Sequence, residues 1–299
     1  MEFVGGVGYT NIDLIYSDMD RLPATGEEVY SKGFEMHLGG GAPATLINTT
    51  RLGVPSKILT FVGKDSFSEF ATRFYASYDA DVVNLYEGDK MPVVVSSVLV
   101  CNNDRSFATY RDVNAVDEDA MCEKIYQHLT GARIVTMHVG FLKAYQKLKE
   151  EGTMLIFDTG WEDDLSIEKY EEYLKIADFY LPNQKEALKI TGTDSVEAAA
   201  KVLSRYFENV IIKLDKDGCM LQTAEGTQFI PSMKGVKAVD STGAGDAFMS
   251  GFMYGLYHGY PLDQCIRFGN VTGGTCVQGI GCLTKYVNEQ QLLELAKTI

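Results

Sequence analysis

A group of acids and small residues in the C-terminal part of the sequence could act on a phosphate. The stretch DSTGAGDAF covers residues 240–248 and leads into an apolar, buried helix. The N-terminus of such a helix offers unpaired N–H groups to an anion, and Gly243, Ala244 and Gly245 leave them accessible. Asp246 could then accept a proton from a hydroxyl that attacks the phosphate. The alternative is an acid that only complements the helix dipole.

A second polar pair stands one helical turn apart. Asn183 and Glu186 point to one helix face, where an amide and a carboxylate could hold hydrated Mg²⁺ near phosphates. The same spacing fits an N-cap asparagine with a capping-box glutamate equally well.

The elements that must position these residues alternate in type. Predicted strands are the first run, MEFVGGVGY, and residues 57–63, 133–140, 154–160, 177–183 and 209–215. Predicted helices cover residues 42–53, 67–77, 117–130, 141–150, 166–176, 184–191 and 195–207. This alternation predicts an α/β fold with a mostly parallel central sheet and helices on both faces.

Two stretches, residues 12–38 and 91–111, break the alternation. Both have the pattern of β-hairpins, with turn signals PATGE and CNNDR, and neither contains a helix. They predict a small β-sheet inserted into the α/β body. Because no linker separates the parts, residues 1–299 are predicted to form one domain.

Composition excludes several classes of protein. The 299 residues carry 41 acids against 27 bases, a net charge of −14, which argues against binding to nucleic acid or anionic lipid. The six cysteines show no CxxC motif, so we expect reduced thiols, no structural zinc and a cytoplasmic protein. We expect no signal peptide, because MEFVGGVGYTNID has no basic region followed by a long apolar stretch, and no membrane span, because the longest apolar runs are too short.

Seven segments, in the same order along the chain, resemble the signatures of the ribokinase/PfkB family of sugar kinases, with fructokinase-like features. They are GGGAPATLINTTRLG (39–53), VGKDSF (62–67), NDRSFATYRDVNAVD (103–117), ADFYLPNQKEALKITG (177–192), NVIIKLDKDGCML (209–221), DSTGAGDAFMSGF (240–252) and FGNVTGGTCVQGIGC (268–282). The resemblance implies a three-layer α/β/α fold with a small β-sheet lid, and ATP and Mg²⁺ as cofactors. It also implies that Asp246 is the catalytic base, and that Gly243, Ala244 and Gly245 form the anion hole for the transferred phosphoryl group.

The resemblance also implies a sugar site. Its predicted substrate contacts are Asn11, Asp13, Gly40, Gly41, Thr45 and Arg111. Thr45 stands where the family has asparagine, and Trp161 or Glu162 stands near a family arginine, which argues mildly against an acidic sugar. Arg105 is interpreted either as a lid residue or as solvated surface charge.

Nucleotide and cation contacts follow from the same resemblance. The residues implied for ATP are Asn183, Lys213, Asp215, Gly218, Gly243, Gly245, Asn270 and Gly274. Asn183 and Glu186 are implied for Mg²⁺ through water, and Asp240 with Thr242 resembles the family's K⁺ site. Asp215 departs from the usual glycine of this segment.

The resulting hypothesis is ATP-dependent phosphorylation of a sugar hydroxymethyl group, with a neutral ketose or ribose-like sugar as substrate and a homodimer formed through the lid. A nucleoside kinase of the same fold is the first alternative, with Tyr9, Tyr16 and Phe107 available for a base pocket. A dinucleotide-dependent oxidoreductase would need GxGxxG, which GGVGYT does not complete. A catalytically inactive sugar-binding regulator is disfavoured by the intact GAGD.

Overall fold

The computed structural model describes residues 2–101 and 104–299. Its strands are β1 (Val4–Val7), β2 (Asn11–Met19), β3 (Gly33–Leu38), β4 (Ser56–Thr60), β5 (Asp81–Asn84), β6 (Val94–Cys101), β7 (Asp104–Tyr110), β8 (Ile134–Met137), β9 (Met154–Phe157), β10 (Phe179–Tyr180), β11 (Val210–Lys213), β12 (Cys219–Thr223) and β13 (Gly226–Ile230). Its α-helices are α1 (Ala42–Arg51), α2 (Ser66–Tyr75), α3 (Glu118–Leu129), α4 (Leu142–Glu150), α5 (Ile167–Ile176), α6 (Gln184–Thr191), α7 (Val196–Leu203), α8 (Ala244–Tyr257), α9 (Leu262–Cys276) and α10 (Glu289–Leu295).

The central sheet is parallel throughout. Within the described ranges six strands form it, in the order β10-β9-β8-β1-β4-β5. The order reverses beside β1, which has β8 on one side and β4 on the other. In open sheets of this kind, ligands bind beyond the carboxyl ends of the strands at such a switch point.

Successive residues of β8 point into two different hydrophobic clusters. Ile134 of β8 packs into one hydrophobic cluster and Val135 into the other, as side-chain alternation requires. The first cluster includes Phe252 of α8 and Phe268 of α9, and the second includes Ile125 of α3. The predicted three-layer α/β/α fold is therefore confirmed.

The small sheet predicted from the two irregular stretches is present, and we call it the lid. Its strand order is β3-β2-β6-β7. Each stretch supplies an antiparallel pair, and β2 joins β6 in parallel. The turn predicted at PATGE is closed by a hydrogen bond from Glu27 N to Ala24 O at 3.0 Å. The turn predicted at CNNDR lies partly outside the described residues, at Asn102 and Asn103.

Helices α8 and α9 pack closely against each other. A Cβ added to Gly251 would lie 2.4 Å from the Phe268 carbonyl oxygen, and one at Gly255 would lie 2.8 Å from the Cys265 Cα. The two glycines therefore let α9 approach the backbone of α8, as the sequence predicts.

One predicted strand does not lie in the central sheet. The run 209–215 forms β11, but β11 lies in a sheet with β12 and β13 and is antiparallel to β12. Its link towards the central sheet is a single parallel bridge between Lys213 and Asn183. Since strand periodicity is the same in both kinds of sheet, the sequence could not decide between them.

Candidate active site

The N-terminus of α8 opens at the edge of the central sheet. Gly243 is its N-cap residue, with a left-handed φ of 73°. A Cβ there would lie 2.1 Å from the Cys282 Cβ, so both the conformation and the space require glycine. At Gly245, by contrast, an added Cβ would have only the Lys213 ammonium nitrogen within 4 Å, at 3.3 Å. The helix start is thus backed by protein at Gly243 and open at Gly245.

Asp246 lies beside this opening and is partly buried. Thr45 Oγ1 donates a hydrogen bond to its Oδ1 at 3.3 Å, and the Gly41 N–H donates another. A Cβ on Gly40 would lie 2.4 Å from its Oδ2, so the glycine loop is shaped around the carboxyl group. Burial raises the pKa of Asp246 from 3.8 to about 7, against these hydrogen bonds, which favour the charged form.

Three carboxylates act on the partly buried ammonium group of Lys213. Burial opposes a charge on Lys213, but Asp158, Glu186 and Asp246 outweigh that effect and raise the pKa of Lys213. Burial and Asp158 raise the pKa of Glu186. The sequence analysis did not single out Asp158, which follows β9 of the central sheet, because its approach to Lys213 at the end of β11, in the second sheet, depends on tertiary structure. Its place directly after a buried strand was the available signal.

Asn183 and Glu186 form a complete capping box at the start of α6. Glu186 N donates to Asn183 Oδ1 at 3.0 Å, and Asn183 N donates to Glu186 Oε2 at 2.7 Å. The structural interpretation of this pair is therefore confirmed. Over residues 2–101 and 104–299, no group of three or more His, Cys, Asp or Glu side chains is arranged to hold a metal ion.

The lid presents a polar row towards the cleft. Cross-strand neighbours share a face of a sheet, and the register places His37, Asp13, Ser96 and Thr109 directly opposite one another. Asp13 is buried, and burial together with the charge of Asp240 raises its pKa to about 6. Asn11 Nδ2 donates to Gly40 O at 2.9 Å, which ties the lid to the glycine loop.

Arg111 is held by Tyr9 and by Glu118, which the sequence analysis did not single out. Its guanidinium lies 3.8 Å above the Tyr9 ring centroid and 2.7 Å from Glu118 Oε1, which also accepts the Tyr9 hydroxyl at 2.8 Å. Glu118 is the first residue of α3, so its reach towards the lid required the tertiary structure. A Cβ on Gly140 would lie 2.7 Å from Glu118 Oε2, which places this cluster beside the end of β8.

The three aromatic residues considered for a base pocket separate in the structure. Tyr16 pairs with Phe34, 5.1 Å between ring centroids, on the lid face opposite to Asp13. It therefore cannot line the same pocket as Asp13. Phe107 lies on the Asp13 face of the lid and is half exposed, and Tyr9 lies under Arg111.

Asp240 is fully engaged by protein groups. Its Oδ1 accepts Thr242 N at 2.9 Å and Thr242 Oγ1 at 2.7 Å, and its Oδ2 accepts Gly281 N at 2.8 Å. Arg105 of the lid forms an ion pair with the same Oδ1. Arg105 is therefore not the solvated surface charge that was one interpretation of the sequence.

Some of the residues predicted to contact the nucleotide are used in packing within the protein, whereas Lys213 is directed at the α8 start. Asn270 Nδ2 donates to Pro231 O at 2.9 Å and its Oδ1 accepts the Cys219 thiol at 3.3 Å, so its amide is used in packing. Gly274 is next to Met233, and Gly218, with a φ of 94°, is pressed against the Ile230 carbonyl. Lys213 alone of these points at the α8 start.

Comparison with known proteins decides the class. The family model for pfkB family carbohydrate kinases matches residues 1–289. The chain belongs to the pfkB family. Members are kinases, so this protein is a phosphotransferase that acts on an alcohol group.

Relatives of this pfkB-family kinase have different substrates in their names. A nucleoside kinase of Methanocaldococcus jannaschii is 25% identical over 98% of this chain and 96% of that protein. A 5-dehydro-2-deoxygluconokinase of Clostridium perfringens is 26% identical over 89% of this chain and 86% of that one. The ribokinase structure from Giardia lamblia superposes with a TM-score of 0.85 at 18% identity, covering 99% of each chain, which shows the shared fold. In the described parts of the kinase, no helix is long and apolar enough to cross a membrane.

Asp215 of the kinase offers a test of backbone strain. It stands where the family signature has glycine and adopts a left-handed φ of 51°. Asp215→Gly removes the steric cost of that conformation, so we expect the free energy of unfolding to rise by about 0.5 to 1 kcal/mol. Urea denaturation checks this, and Asp217→Gly, in the same 3₁₀ turn without a positive φ, is the matched control. A decrease for Asp215→Gly would contradict the strain argument.

Proposed function

We propose that this chain transfers the γ-phosphoryl group of ATP to a hydroxymethyl group of a neutral sugar, a ketose or a ribose-like substrate. One observation carries the proposal. A carboxyl group with a pKa of about 7, that of Asp246, lies beside an open helix N-terminus and across from the polar row of the lid. A hydroxyl group bound between these features meets a base on one side and a phosphate site on the other.

Asp246 acts as the general base in this proposal. A base is most effective when its pKa is near the working pH, and burial brings Asp246 into that range. The carboxylate accepts the hydroxyl proton as the oxygen attacks phosphorus, and Thr45 and the Gly41 N–H hold the carboxylate in place. Thr45, which replaces the family's asparagine, thus supports the base instead of the sugar.

The start of α8 stabilises the transferred group. We assign the N–H groups of Gly243 and Gly245 to the place where negative charge develops, as in an oxyanion hole, whereas the Ala244 N–H already donates to Ser241 O at 3.3 Å. Lys213 adds a full positive charge next to Gly245. Asn270 shapes the wall of the nucleotide pocket through its bonds to Pro231 and Cys219.

Mg²⁺ bound with ATP would supply positive charge that offsets the charge of the phosphates. Glu186 and Asp158 give the chain two carboxylates near Lys213 that could bind its water ligands, and Asn183 holds Glu186 in position. This assigns the capping box a second role. A K⁺ ion at Asp240 and Thr242 would compete with Arg105 for the same carboxylate.

The lid binds the sugar. We assign Asp13 and Asn11, beside Gly40 and Gly41, to the sugar hydroxyls, because an ionised carboxylate accepts two adjacent hydroxyls well. Closure of the lid also excludes water and limits ATP hydrolysis. Because Arg111 is neutralised by Glu118, the pocket offers no free positive charge there for an acidic sugar.

The pH dependence of the reaction follows from Asp246. Only the ionised carboxylate can accept a proton, so we expect kcat/KM to rise with pH through about 7 and to level off above it. Asp13, with a pKa of about 6, adds to the loss of activity at lower pH. A pH series of kcat/KM checks this. Activity that is constant between pH 5 and 8 would show that no group with the environment of Asp246 controls the reaction.

A nucleoside kinase is the second candidate, favoured by the nucleoside kinase among the relatives. Tyr9 and Phe107 remain available for a base pocket, and Tyr16 does not. A phosphorylation screen over ketoses, aldoses and nucleosides separates the two. Higher kcat/KM for a nucleoside than for any free sugar would favour this candidate.

We also propose a homodimer through the outer face of the lid. That face carries Tyr16, Phe34 and Tyr110, of which Phe34 and Tyr110 are 58% and 55% exposed. An exposed apolar sheet face and two edge strands are usually covered by a partner. Sedimentation velocity tests this. A strict monomer at micromolar concentration would contradict the dimer without affecting the catalytic proposal.

A further inference from the structure

Arg105 links the lid to the segment that leads into α8. It lies on β7, and its ion pair with Asp240 connects two parts of the chain that are 135 residues apart. The side chains are 24% and 13% exposed, so the contact is largely shielded from solvent. Surface ion pairs contribute little, but a shielded pair with further hydrogen bonds fixes a geometry.

Asp240 transmits this contact to the proposed anion hole. Its carboxylate holds the N–H and hydroxyl of Thr242, the residue directly before Gly243, and the N–H of Gly281. The Gly281 position is also in contact with His37 of the lid. One carboxylate therefore fixes the α8 entry segment, the 276–282 loop and the lid relative to one another.

Arg105 also serves the sugar side of the cleft. The charge of Asp240 raises the pKa of Asp13, whereas the charges of His37 and Arg105 lower it. Arg105 thus forms its ion pair with Asp240 and also acts electrostatically on Asp13. Withdrawal of Arg105 would leave Asp13 and Asp240 repelling each other across the sugar site.

We propose that Arg105 is a positioning residue that makes lid closure and completion of the anion hole one event. It contacts neither the reacting hydroxyl nor the phosphoryl group and acts through Asp240. The proposal rests on the function assigned to Gly243–Gly245 above. It also assigns to an arginine of this chain the positive charge that a monovalent cation would otherwise supply at Asp240.

The test measures sugar phosphorylation and sugar-independent ATP hydrolysis for wild type, Arg105→Ala and Arg105→Lys. We expect kcat for phosphorylation to fall about 10- to 100-fold in Arg105→Ala, because small displacements of catalytic groups have effects of this size. The ratio of ATP hydrolysis to phosphorylation should rise, since a lid that lacks the ion pair to Asp240 admits water. Lys32→Ala, which removes a cation between β2 and β3 that pairs with the exposed Asp20, is the control and should keep both rates.

Chemical rescue separates positioning from simple misfolding. Guanidinium at millimolar, non-denaturing concentration should restore part of the phosphorylation rate of Arg105→Ala, and K⁺ should stimulate this variant but not the wild type. An Asp240→Asn change added to Arg105→Ala should cost little more than either change alone.

Other results would contradict the inference or the proposed function. The inference would be overturned if Arg105→Ala kept its phosphorylation rate and its hydrolysis ratio within twofold of wild type. It would also be overturned if Arg105→Ala and Asp240→Asn lowered the rate independently, so that their fold-changes multiply in the double variant. Strong K⁺ activation of the wild type would show that Arg105 does not supply the charge at Asp240. A wild type that phosphorylates no sugar or nucleoside would instead reject the proposed function itself.

Discussion

Asp246→Asn should reduce kcat by about 10³-fold or more, with a much smaller change in KM, because removal of a general base costs roughly 10² to 10⁴ in rate. Asparagine keeps the shape and can still accept hydrogen bonds from Thr45 and the Gly41 N–H. The loss would therefore reflect proton transfer and not a collapsed site. A coupled assay of ADP release with saturating sugar measures it. Turnover within tenfold of wild type would remove Asp246 from the role of base.

The same substitution should stabilise the fold at neutral pH. The pKa of Asp246 is higher in the folded protein than its ordinary value of 3.8, so ionisation favours the unfolded chain. This penalty is absent below about pH 4, grows as the pH rises and is complete above about 7, where it reaches a few kcal/mol. Asp246→Asn should raise the unfolding free energy at pH 8 relative to wild type and have little effect at pH 4. Urea titrations at the two pH values measure both differences.

Gly40→Ala is the second prediction with a large expected effect. The added methyl group would lie 2.4 Å from Asp246 Oδ2, while its next contact is the Asp246 Cγ at 3.5 Å. Since the obstacle is the end of a side chain, the fold should survive and the base should move. A displacement near 1 Å can cost about 100-fold in rate, so we expect kcat to fall by that order with a nearly unchanged Tm.

A double variant controls for indirect effects of Gly40→Ala. Once Asp246→Asn has removed the base, its displacement should matter little, so adding Gly40→Ala should lower the residual rate less than threefold or so. If Gly40→Ala costs 100-fold in both backgrounds, its effect arises elsewhere, in sugar binding or in the fold. The KM for the sugar distinguishes these two cases.

Local sequence patterns predicted much of the fold. The strands and helices of the α/β body have periodicities that short windows reveal, and Gly251 and Gly255 indicated the close approach of α9. The placement of β11 in a second sheet was not predictable from its own residues. Pairing partners are chosen by tertiary packing, which a strand's own pattern does not encode.

Only part of the candidate site could be predicted from local sequence patterns. The motif around Asp246 predicted an acid beside an open helix start, because both features lie within a few residues. Asp158, Glu118 and the Arg105–Asp240 pair depend on contacts between distant segments. Tyr16 was suggested for a base pocket, but it lies on the lid face opposite to Asp13, and the alternation of a strand does not show which face meets the cleft.

The central claim is that the chain phosphorylates a sugar hydroxymethyl group with Asp246 as base. The most direct measurement is ³¹P NMR of reactions containing ATP, Mg²⁺ and each sugar or nucleoside of the panel, with wild type and Asp246→Asn side by side. The account predicts a phosphomonoester at a primary hydroxyl of a neutral sugar for the wild type and almost none for the variant. Inorganic phosphate as the sole product from every substrate, or equal ester formation by both proteins, would contradict it.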